Sequence, residues 1–554
     1  MAKPSSSKPN VGGAEPASWL PLLIILLAQI QMAFNVNALP VSIGAIVDEF
    51  SVSPSSVGTA LVFYSLAVAG FVMVGAKIGK MTGERLLFQI TVLLHGAAML
   101  GMALSRNAAT MNLAQALAGL AAAGLVPTLV VLIAANYRGA QQSQALGVLA
   151  GTPAISGALA FFVAGYLGTA FSWRYSFGML GVLALVVFGL SFRLAPIPRK
   201  TGIRLDFVGA ALAAVAIFLI SFGFNNLNAW GILLAGESAP FTLLGLSPAP
   251  VMVAAGIMFG QGFFFWSHRR IAQGQTPLLS MEVLGSSKER SATIALLIIS
   301  ALGPAVNFLI PLYMQIVQGF TTLVTAVAVI PYTLSIAVSA ILIVRLYSRL
   351  TPRQIGSMGF AVVAVGLVIL AYSIRNDWGT PLVILGLIVL GLGEGSLLTL
   401  MFNVLVSSAP KELAGDVGAL RGVANNLATA LGTAFASVAA VSILAVLVVN
   451  YVETSPYLPI MPEDPISLDS VDFVSNDQLQ DYLDELNATP EQEDQAIEIN
   501  TEARLQALKI SFLLLAGIAL LAIFPALGLP GYNDEEILPV KRLKGKPIKG
   551  KPNS

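Results

Sequence analysis

Residues 381–407 read PLVILGLIVLGLGEGSLLTLMFNVLVS. This stretch holds one charged side chain, Glu394, and it is longer than the roughly 20 apolar residues that a helix needs to cross a bilayer. Thirteen further stretches of this kind divide the chain, so the sequence predicts an all-α, polytopic membrane protein. The predicted spans are 19–40, 57–78, 86–105, 111–135, 145–171, 175–195, 207–225, 250–267, 292–315, 322–347, 354–373, 381–407, 418–449 and 505–529. The weakest of them, 250–267, also fits an interfacial helix.

The composition excludes several classes of function. Of the 554 residues, 56% are hydrophobic and 11% are charged, whereas about 25% charged residues are typical of soluble domains. The chain has no cysteine, which excludes disulfides, thiolate metal sites and cysteine nucleophiles. The sequence contains no metal-ligand cluster, phosphate-binding loop or nucleophile–base pair, and no basic patch suggests nucleic acid. We therefore expect no enzyme activity, no cofactor, no metal site and no nucleic-acid partner.

The Lys and Arg residues indicate the orientation of the chain. If the N-terminus is cytoplasmic, 25 of the 30 Lys and Arg residues lie on the inner side, in agreement with the positive-inside rule. The five on the outer side are Arg106, Arg174, Arg375, Arg504 and Lys509. An even number of spans returns the C-terminus to the cytoplasm, and we expect a multi-pass protein of the plasma (inner) membrane. The apolar run from Trp19 is too long for a signal peptide and is expected to remain as the first helix.

One outer segment is strongly acidic. Residues 451–502 contain many Asp and Glu residues but no Lys, Arg or His, and the stretch 477–486 is predicted to form a short helix. One interpretation is a solvated loop, which its low hydrophobicity and high charge favour. The other is a surface that attracts cations or binds a protein partner.

Several short motifs lie within or beside the predicted spans. In the second half, PLYMQ at 311–315 and Gly319 are followed by Pro331 and by RLYSRLTPR at 345–353. Supporting motifs are ALP at 38–40, WRY at 173–175, DFVG at 206–209 and PLL at 277–279. In this order and spacing, the motifs resemble the major facilitator superfamily, specifically its fourteen-helix drug:proton antiporter branch.

The resemblance implies two six-helix bundles, with spans 7 and 8 as two linker helices between them. The expected organisation is a cytoplasmic tail at 1–18, an N-terminal bundle at 19–195, a linker at 196–291, a C-terminal bundle at 292–529 that includes the acidic outer loop 450–504, and a basic cytoplasmic tail at 530–554.

Several charged positions of that branch are replaced in this chain. The acid of its first helix aligns with Gln31, the arginine of its fourth helix aligns with Gln115, and the aspartate of its loop between helices 2 and 3 aligns with Lys80. The glycine- and proline-rich antiporter motif of helix 5 is retained as Gly147, Gly151, Pro153 and Gly157. The resemblance therefore implies the scaffold of the branch but not its proton coupling.

Titratable groups inside the predicted spans are candidates for coupling to protons. Glu394 is the one clear acid within a span, and His95 is the other titratable group at depth. Ionisable residues in a bilayer are costly and usually functional. The alternatives are a glutamic acid that only packs and a histidine that only bonds to a neighbouring helix.

Polar and flexible residues give two further groups of candidates. Residues expected to line a substrate cavity between the bundles, or else to bridge helices, are Gln31, Asn35, Gln115, Asn307, Tyr332, Asn403 and Asn426. Residues expected at gates or hinges, or else in ordinary helix packing, are Lys80, Gly83, Glu84, Arg85, Gly151, Pro153, Gly157, Pro304 and Arg421. Arg421 is expected to pair with Asp416 or to contact lipid head groups.

These observations favour a secondary transporter that moves a small amphipathic or neutral compound by alternating access. Export and drug-like substrates are implied by the resemblance, and proton coupling through Glu394 is left open. We expect a monomer whose partners are its small-molecule substrate and the lipid bilayer. Two alternatives remain: a transporter-like scaffold or sensor that does not transport, and a passive facilitator.

Overall fold

The computed structural model of the chain describes residues 18–50, 54–199, 202, 205–236, 238–320, 322–375, 381–454, 476–485 and 488–531. Fourteen helices in these ranges are long and apolar enough to cross a membrane, which confirms the predicted number of spans. They are α1 (Leu20–Phe50), α2 (Pro54–Thr82), α3 (Glu84–Ala103), α4 (Ala108–Asn136), α5 (Gly139–Ala170), α6 (Arg174–Ser191), α7 (Phe207–Asn225), α8 (Pro248–Ala272), α9 (Ser287–Pro311), α10 (Thr322–Leu342), α11 (Pro352–Ser373), α12 (Pro381–Ser408), α13 (Ala414–Thr454) and α14 (Pro490–Leu521).

Two helices differ from the predicted spans for a physical reason. α14 begins at Pro490 rather than at 505, because Thr489 and Gln492 form a capping box that starts the helix outside the apolar run. Hydropathy detects only the part of this helix that suits lipid. α8 is 25 residues long, so the weakest predicted span is a full-length helix.

The helices pack as two groups of six with a pair beside them. In the first half, α2 packs on α4, α3 on α4 and α6, and α1 on α5. In the second half, α11 and α10 pack on α12, α9 packs on α13, and α11 packs on α14. The linker helices α7 and α8 pack on each other, and α7 also contacts α2 and α13. One linker helix therefore touches both halves.

Glycines bring helix backbones together where the polar side chains lie. On α12, a Cβ at Gly391 would meet the carbonyl oxygen of Tyr332, and a Cβ at Gly395 would meet the carbonyl oxygen of Ile336. Small residues allow such close approach of membrane helices. This contact places Glu394, which lies between the two glycines in sequence, beside α10.

The two halves are in close contact at one face of the molecule, where α2, α4 and α10 end and α5 and α13 begin. There Gly418 of α13 packs on Pro127 of α4, and Gly147 of α5 packs on Ala340 of α10. We call this the Lys/Arg-rich face, because the loops at this end carry most of the basic residues. Farther from it, α2 and α13 separate, and a cavity of about 150 Å³ lies between them and the linker helix α7.

The described part of the acidic outer segment contains the predicted short helix, at Asn476–Glu485. Buried Arg504 of α14 holds it in place, because its Nη2 lies 2.6 Å from Asn476 Oδ1. The same guanidinium donates to the carbonyl oxygen of Ile316 at 3.2 Å, in the π-helical turn Leu312–Val317 that follows Pro311. The role of this segment in binding a partner or cations stays a prediction.

Candidate functional site

Glu394 lies where three helices of the second half meet. Its side chain is buried and accepts a hydrogen bond from the hydroxyl of Tyr332 on α10. Gly303 of α9 faces the same carboxyl, and a Cβ at that position would collide with Glu394 Oε1. Pro304 follows on α9, so the backbone there lacks one hydrogen-bond donor. The carboxyl therefore occupies space that a glycine leaves open, and a neutral hydroxyl is the partner that the structure gives it.

The other buried acids of the described chain lie at helix N-termini, unlike Glu394. Glu84, Asp206, Glu289 and Asp416 all stand at the first turn or N-cap of a helix. The positive end of a helix dipole stabilises a carboxylate at such places. Glu394 lies in the middle of the 28-residue α12. Stabilisation by its own helix end is therefore not available to it.

Gln31 and Asn35 share one face of α1, as their spacing predicts. Gln31 Nε2 lies 3.0 Å from His95 Nδ1 of α3 and 3.4 Å from the carbonyl oxygen of Val92. Asn35 and Gln115 of α4 exchange two hydrogen bonds of 2.9 Å each. All four polar side chains are fully buried. In this conformation they bond to one another inside the first half, so contact between them and a substrate stays a prediction.

The Gln31–His95 contact leaves two polar atoms unsatisfied. Gln31 Oε1 and His95 Nε2 have no hydrogen-bond partner within the described residues. The ring of Tyr64 stands edge-on to the His95 ring, with centroids 6.5 Å apart. A polar group that reached this point could bond to both free atoms, because one is an acceptor and an imidazole nitrogen can serve either role. The proton-coupling role of His95 stays a prediction.

The remaining cavity candidates lie in three separate places. Asn403 of α12 donates to the carbonyl oxygen of Thr399 at 3.0 Å and lies 3.5 Å from the hydroxyl of Tyr347. Asn307 of α9 is exposed. Asn426 of α13 lines the cavity between α2, α7 and α13. The seven candidates thus do not line one common cavity in this conformation, because those on α1 and α4, and those on α10 and α12, are bonded inside their own halves.

A buried charge pair joins the two halves at the Lys/Arg-rich face. Lys80 of α2 donates to Asp416 Oδ2 at the start of α13, and Lys77 Nζ lies 3.9 Å from Asp416 Oδ1. The side chains of Lys80 and Asp416 are 9% and 1% exposed. Lys80 is one of the predicted gate residues, but the sequence analysis does not identify Asp416 as its partner. An acid and a base at span ends on the same predicted side are the signal that could have found the pair.

The three other charged gate candidates contact groups within their own halves. Glu84 accepts a hydrogen bond of 3.2 Å from Thr128 Oγ1 of α4, and Arg85 donates to the carbonyl oxygen of Phe192 at 3.2 Å. Both bonds lie within the first half, so neither residue locks the halves together. The expected pairing of Arg421 with Asp416 is wrong. The Arg421 guanidinium carbon lies 4.3 Å from the centroid of the Phe402 ring instead, in a cation–π contact.

The predicted hinge glycines have identifiable packing roles. Gly83 joins α2 to α3 with φ of +99°, a conformation that favours glycine. Gly151 of α5 packs on Ala337 of α10, whereas Gly157 faces Asn37 of α1. Pro153, between them, lies inside α5. One glycine thus lets α5 approach the other half, and the other lets it approach its own half; movement at these points stays a prediction.

A polar corner at the opposite face was missed by the sequence reasoning. Arg174 at the start of α6 bonds through Nη2 to Glu49 Oε1 at 2.6 Å and through Nη1 to the carbonyl oxygens of Ala103 and Ser105 at 2.7 and 2.6 Å. Trp173 Nε1 donates to Glu49 Oε2 at 2.7 Å. The hydrogen bond from Arg174 lowers the pKa of Glu49 below its ordinary value, against the opposing effect of partial burial. This corner ties α1 and α3 to α6.

Known proteins with related sequences are resistance and export proteins. The puromycin resistance protein pur8 of Streptomyces alboniger is 26% identical over 76% of this chain and 82% of its own length. The tetracenomycin C resistance and export protein of Streptomyces glaucescens is 24% identical over 78% of this chain and 79% of its own length.

A solved structure and a family model give results consistent with these sequence relatives. The crystal structure of the human organic anion transporter MFSD10 (TETRAN) superposes with a TM-score of 0.56 over 92% of this chain and 98% of that protein, at 14% identity. The likeness supports the major-facilitator-like fold expected from the sequence, with two six-helix bundles and two linker helices. A model of the Major Facilitator Superfamily matches residues 25–433. The chain therefore belongs to the Major Facilitator Superfamily, a family of membrane transporters rather than enzymes.

Proposed function

We propose that the chain exports a small amphipathic or neutral compound by alternating access, and that Glu394 couples this export to protons. The observation that carries the proposal is the position of Glu394, buried in the middle of α12 and bonded to Tyr332. A carboxyl at this depth is costly and is rarely kept for packing alone. Its partner is a neutral hydroxyl, so no fixed cation among the contacts described holds the carboxyl in its charged form.

The direction and the substrate class are supported by the named relatives. One of them is a resistance protein for puromycin, and another is a resistance and export protein for tetracenomycin C. Apart from Glu394 and from Glu84 at the first residue of α3, the buried polar groups of α1, α3, α4 and α12 are amides, one imidazole and hydroxyls. Such groups suit an uncharged or weakly charged compound better than a strongly charged one.

Alternating access is supported by the contacts between the halves. At the Lys/Arg-rich face these contacts combine small residues with the Lys80–Asp416 pair. A contact of this kind can separate as one rigid half rocks against the other. We place this face in the cytoplasm of the cell, with the chain in the plasma membrane and acting as a monomer.

The orientation can be tested with single cysteines, because the native chain has none. Ala140→Cys lies at the start of α5 on the Lys/Arg-rich face, and Ala109→Cys lies at the start of α4 on the opposite face; both positions are exposed. A membrane-impermeant maleimide added to intact cells should label Ala109→Cys alone. Labelling of Ala140→Cys alone would reverse the orientation.

Transport should be measured in proteoliposomes with puromycin and tetracenomycin C as probes, with and without a pH gradient. The wild-type protein is expected to move at least one probe faster when protons flow in the opposite direction. Glu394→Gln should lose this acceleration and keep exchange of probe across the membrane without a gradient. The matched control is Glu412→Gln, an exposed acid between α12 and α13, which should behave as the wild type.

The same measurement separates the alternatives. Gradient-driven export by Glu394→Gln at the wild-type rate would contradict coupling through that carboxyl. If the wild-type protein moves the probes at the same rate with and without the pH gradient, it is a passive facilitator. Failure to move either probe under both conditions would favour a transporter-like scaffold or sensor, in line with the neutral residues at positions 31 and 115.

A further inference from the structure

The cavity between α2, α7 and α13 is lined by polar side chains from three separate parts of the fold. α2 belongs to the first half, α13 belongs to the second half, and α7 is a linker helix. The polar lining residues are Ser65, Ser221, Asn225, Asn426, Thr429 and Thr433. No charged side chain is among the lining residues within the described ranges. A charged ligand group here would lack a compensating partner, so the lining suits an uncharged, hydrogen-bonding group.

Ser221 of α7 is a lining residue whose hydrogen-bonding capacity is not satisfied by other groups of the described protein. It is 4% exposed, and its hydroxyl oxygen has no hydrogen-bond partner in the described part of the chain. A serine or threonine inside a helix can donate to the carbonyl four residues earlier, as Ser156 and Thr429 do here at 2.8 and 2.7 Å. An unsatisfied buried hydroxyl costs about 1–3 kcal/mol. Ser221 therefore places an unused hydrogen-bonding group at the wall of the cavity.

Asn426 of α13 provides a hydrogen-bond acceptor on the opposite wall of the cavity. Its Nδ2 donates to the carbonyl oxygen of Gly422 at 2.9 Å, which leaves Oδ1 as an acceptor. Ser65, Asn225 and Thr433 also line the cavity and add further donors and acceptors. A hydroxyl, amide or ester group could therefore be bonded from α2, α7 and α13 at once.

An apolar groove lies directly beside this cavity. It has a volume of about 440 Å³ between α2, α4 and α7, and its walls include Phe63, Phe71 and Phe218. Leu66 of α2 borders both the groove and the polar cavity. The polar cavity alone, at about 150 Å³, is smaller than the roughly 300–1,000 Å³ of sites for drug-sized ligands. It fits one end of a larger molecule.

We propose that α7, together with α2 and α13, forms a binding site for the uncharged polar end of an amphipathic compound whose apolar part lies in the groove between α2, α4 and α7. This assigns a role to a linker helix that belongs to neither half. The ligand class is a neutral amphiphile, in which a hydroxyl-, amide- or ester-bearing end is attached to an apolar body. A soluble amphiphile and a neutral membrane lipid share this chemistry.

The absence of native cysteine allows a direct binding test. Thr429→Cys is an exposed reporter that lines the cavity, and Val446→Cys is an exposed control farther along the same helix. The rate of N-ethylmaleimide labelling is measured in phosphatidylcholine nanodiscs with 1-dodecylglycerol, dodecyltrimethylammonium or dodecyl sulfate, which share one chain and differ in the charge of the head. Only 1-dodecylglycerol should slow labelling of Thr429→Cys, and none of the three should slow labelling of Val446→Cys.

A second variant tests the hydrogen bonds, and a second bilayer identifies the source of the ligand. Ser221→Ala, added to Thr429→Cys, should weaken protection by 1-dodecylglycerol about tenfold, as expected for the loss of one buried hydrogen bond. Protection by dioleoylglycerol mixed into the bilayer would identify a lipid as an occupant, whereas protection by 1-dodecylglycerol alone would identify a soluble amphiphile. Equal protection by all three dodecyl compounds, or unchanged protection in Ser221→Ala, would overturn the proposal. The measurement does not depend on transport.

Discussion

Lys80 and Asp416 form the buried ionic contact between α2 and α13, and its loss should open the Lys/Arg-rich face. Asp416→Asn removes the carboxylate that Lys80 contacts and that lies 3.9 Å from Lys77 Nζ. Ala76, which is buried on α2 next to Gly415 of α13, supplies a reporter when replaced by cysteine. Because breaking one side of a buried ion pair costs about 3–5 kcal/mol, Ala76→Cys should react with an impermeant maleimide about tenfold faster or more in Asp416→Asn.

Exchanging the two charges controls for structural effects of the substitutions that do not depend on the ion pair. Lys80→Asp combined with Asp416→Lys should return the labelling of Ala76→Cys toward the slow rate of the parent protein. Glu412→Gln removes an exposed acid near the same face and should leave the rate unchanged. Equal rates in Asp416→Asn and in the parent protein would show that this pair does not hold the face closed.

Single residues could be selected from the sequence more easily than their partners. Glu394 was identified because it interrupts an apolar run, but its bond to Tyr332 depends on the packing of α10 on α12, 62 residues apart in the chain. Arg421 is expected from the sequence either to pair with Asp416 or to contact lipid head groups. Five residues along a helix turn the side chain by about 140°, so the two point to different sides. Asp416 meets α2, and Arg421 meets the Phe402 ring.

The corner of Glu49, Trp173 and Arg174 joins three helices, and its strength should depend on pH. The hydrogen bond from Arg174 lowers the pKa of Glu49 in the folded protein. The ordinary pKa of a glutamate is about 4.3. A depressed carboxyl pKa stabilises the fold above that value, and the stabilisation is lost as the pH falls through the folded-state pKa. The wild-type protein should therefore have a higher Tm than Glu49→Gln at pH 7, and the difference should vanish in acid.

Thermal unfolding in detergent between pH 3 and pH 7 measures this difference. Glu502→Gln, which removes an exposed acid from the outer part of α14, should show no such pH-dependent gap from the wild type. A gap for Glu49→Gln that stays constant down to the lowest pH would show that packing of the side chain, and not its ionised carboxyl, supports the corner.

At the level of elements, hydropathy was sufficient for the number of helices but not for their ends. Fourteen apolar runs correspond to fourteen helices, because each run must cover the thickness of the bilayer. The start of α14 was missed by 15 residues, since the capping box at Thr489 and Gln492 extends it into polar sequence. The sequence also does not predict the π-helical turn after Pro311, in which the Ile316 carbonyl accepts a hydrogen bond from Arg504, far along the chain.

For the whole molecule, the resemblance in motif order was enough to predict two six-helix bundles and a linker pair, and a model of the family matches residues 25–433. The sequence does not predict which conformation of the two halves is observed. One chain must be compatible with at least two arrangements of its halves if it works by alternating access. The contact at Gly418 and Pro127, and the open space at Ser65 and Thr429, belong to one of these arrangements.

A pair of disulfides tests whether the halves move as rigid units. A Cβ at Gly422 of α13 would lie 3.6 Å from Val72 Cβ of α2, and a Cβ at Gly101 of α3 would lie 3.7 Å from Ala114 Cβ of α4. Both separations suit a disulfide, for which Cβ atoms are about 3.5–4.5 Å apart. Oxidation of Val72→Cys with Gly422→Cys links the two halves and should stop transport until the bond is reduced. Oxidation of Gly101→Cys with Ala114→Cys links two helices of one half and should leave most transport intact. Transport that survives the first cross-link would contradict alternating access by separation of α2 from α13. Transport that is lost equally with both cross-links would show that the six helices of the first half do not move as one body.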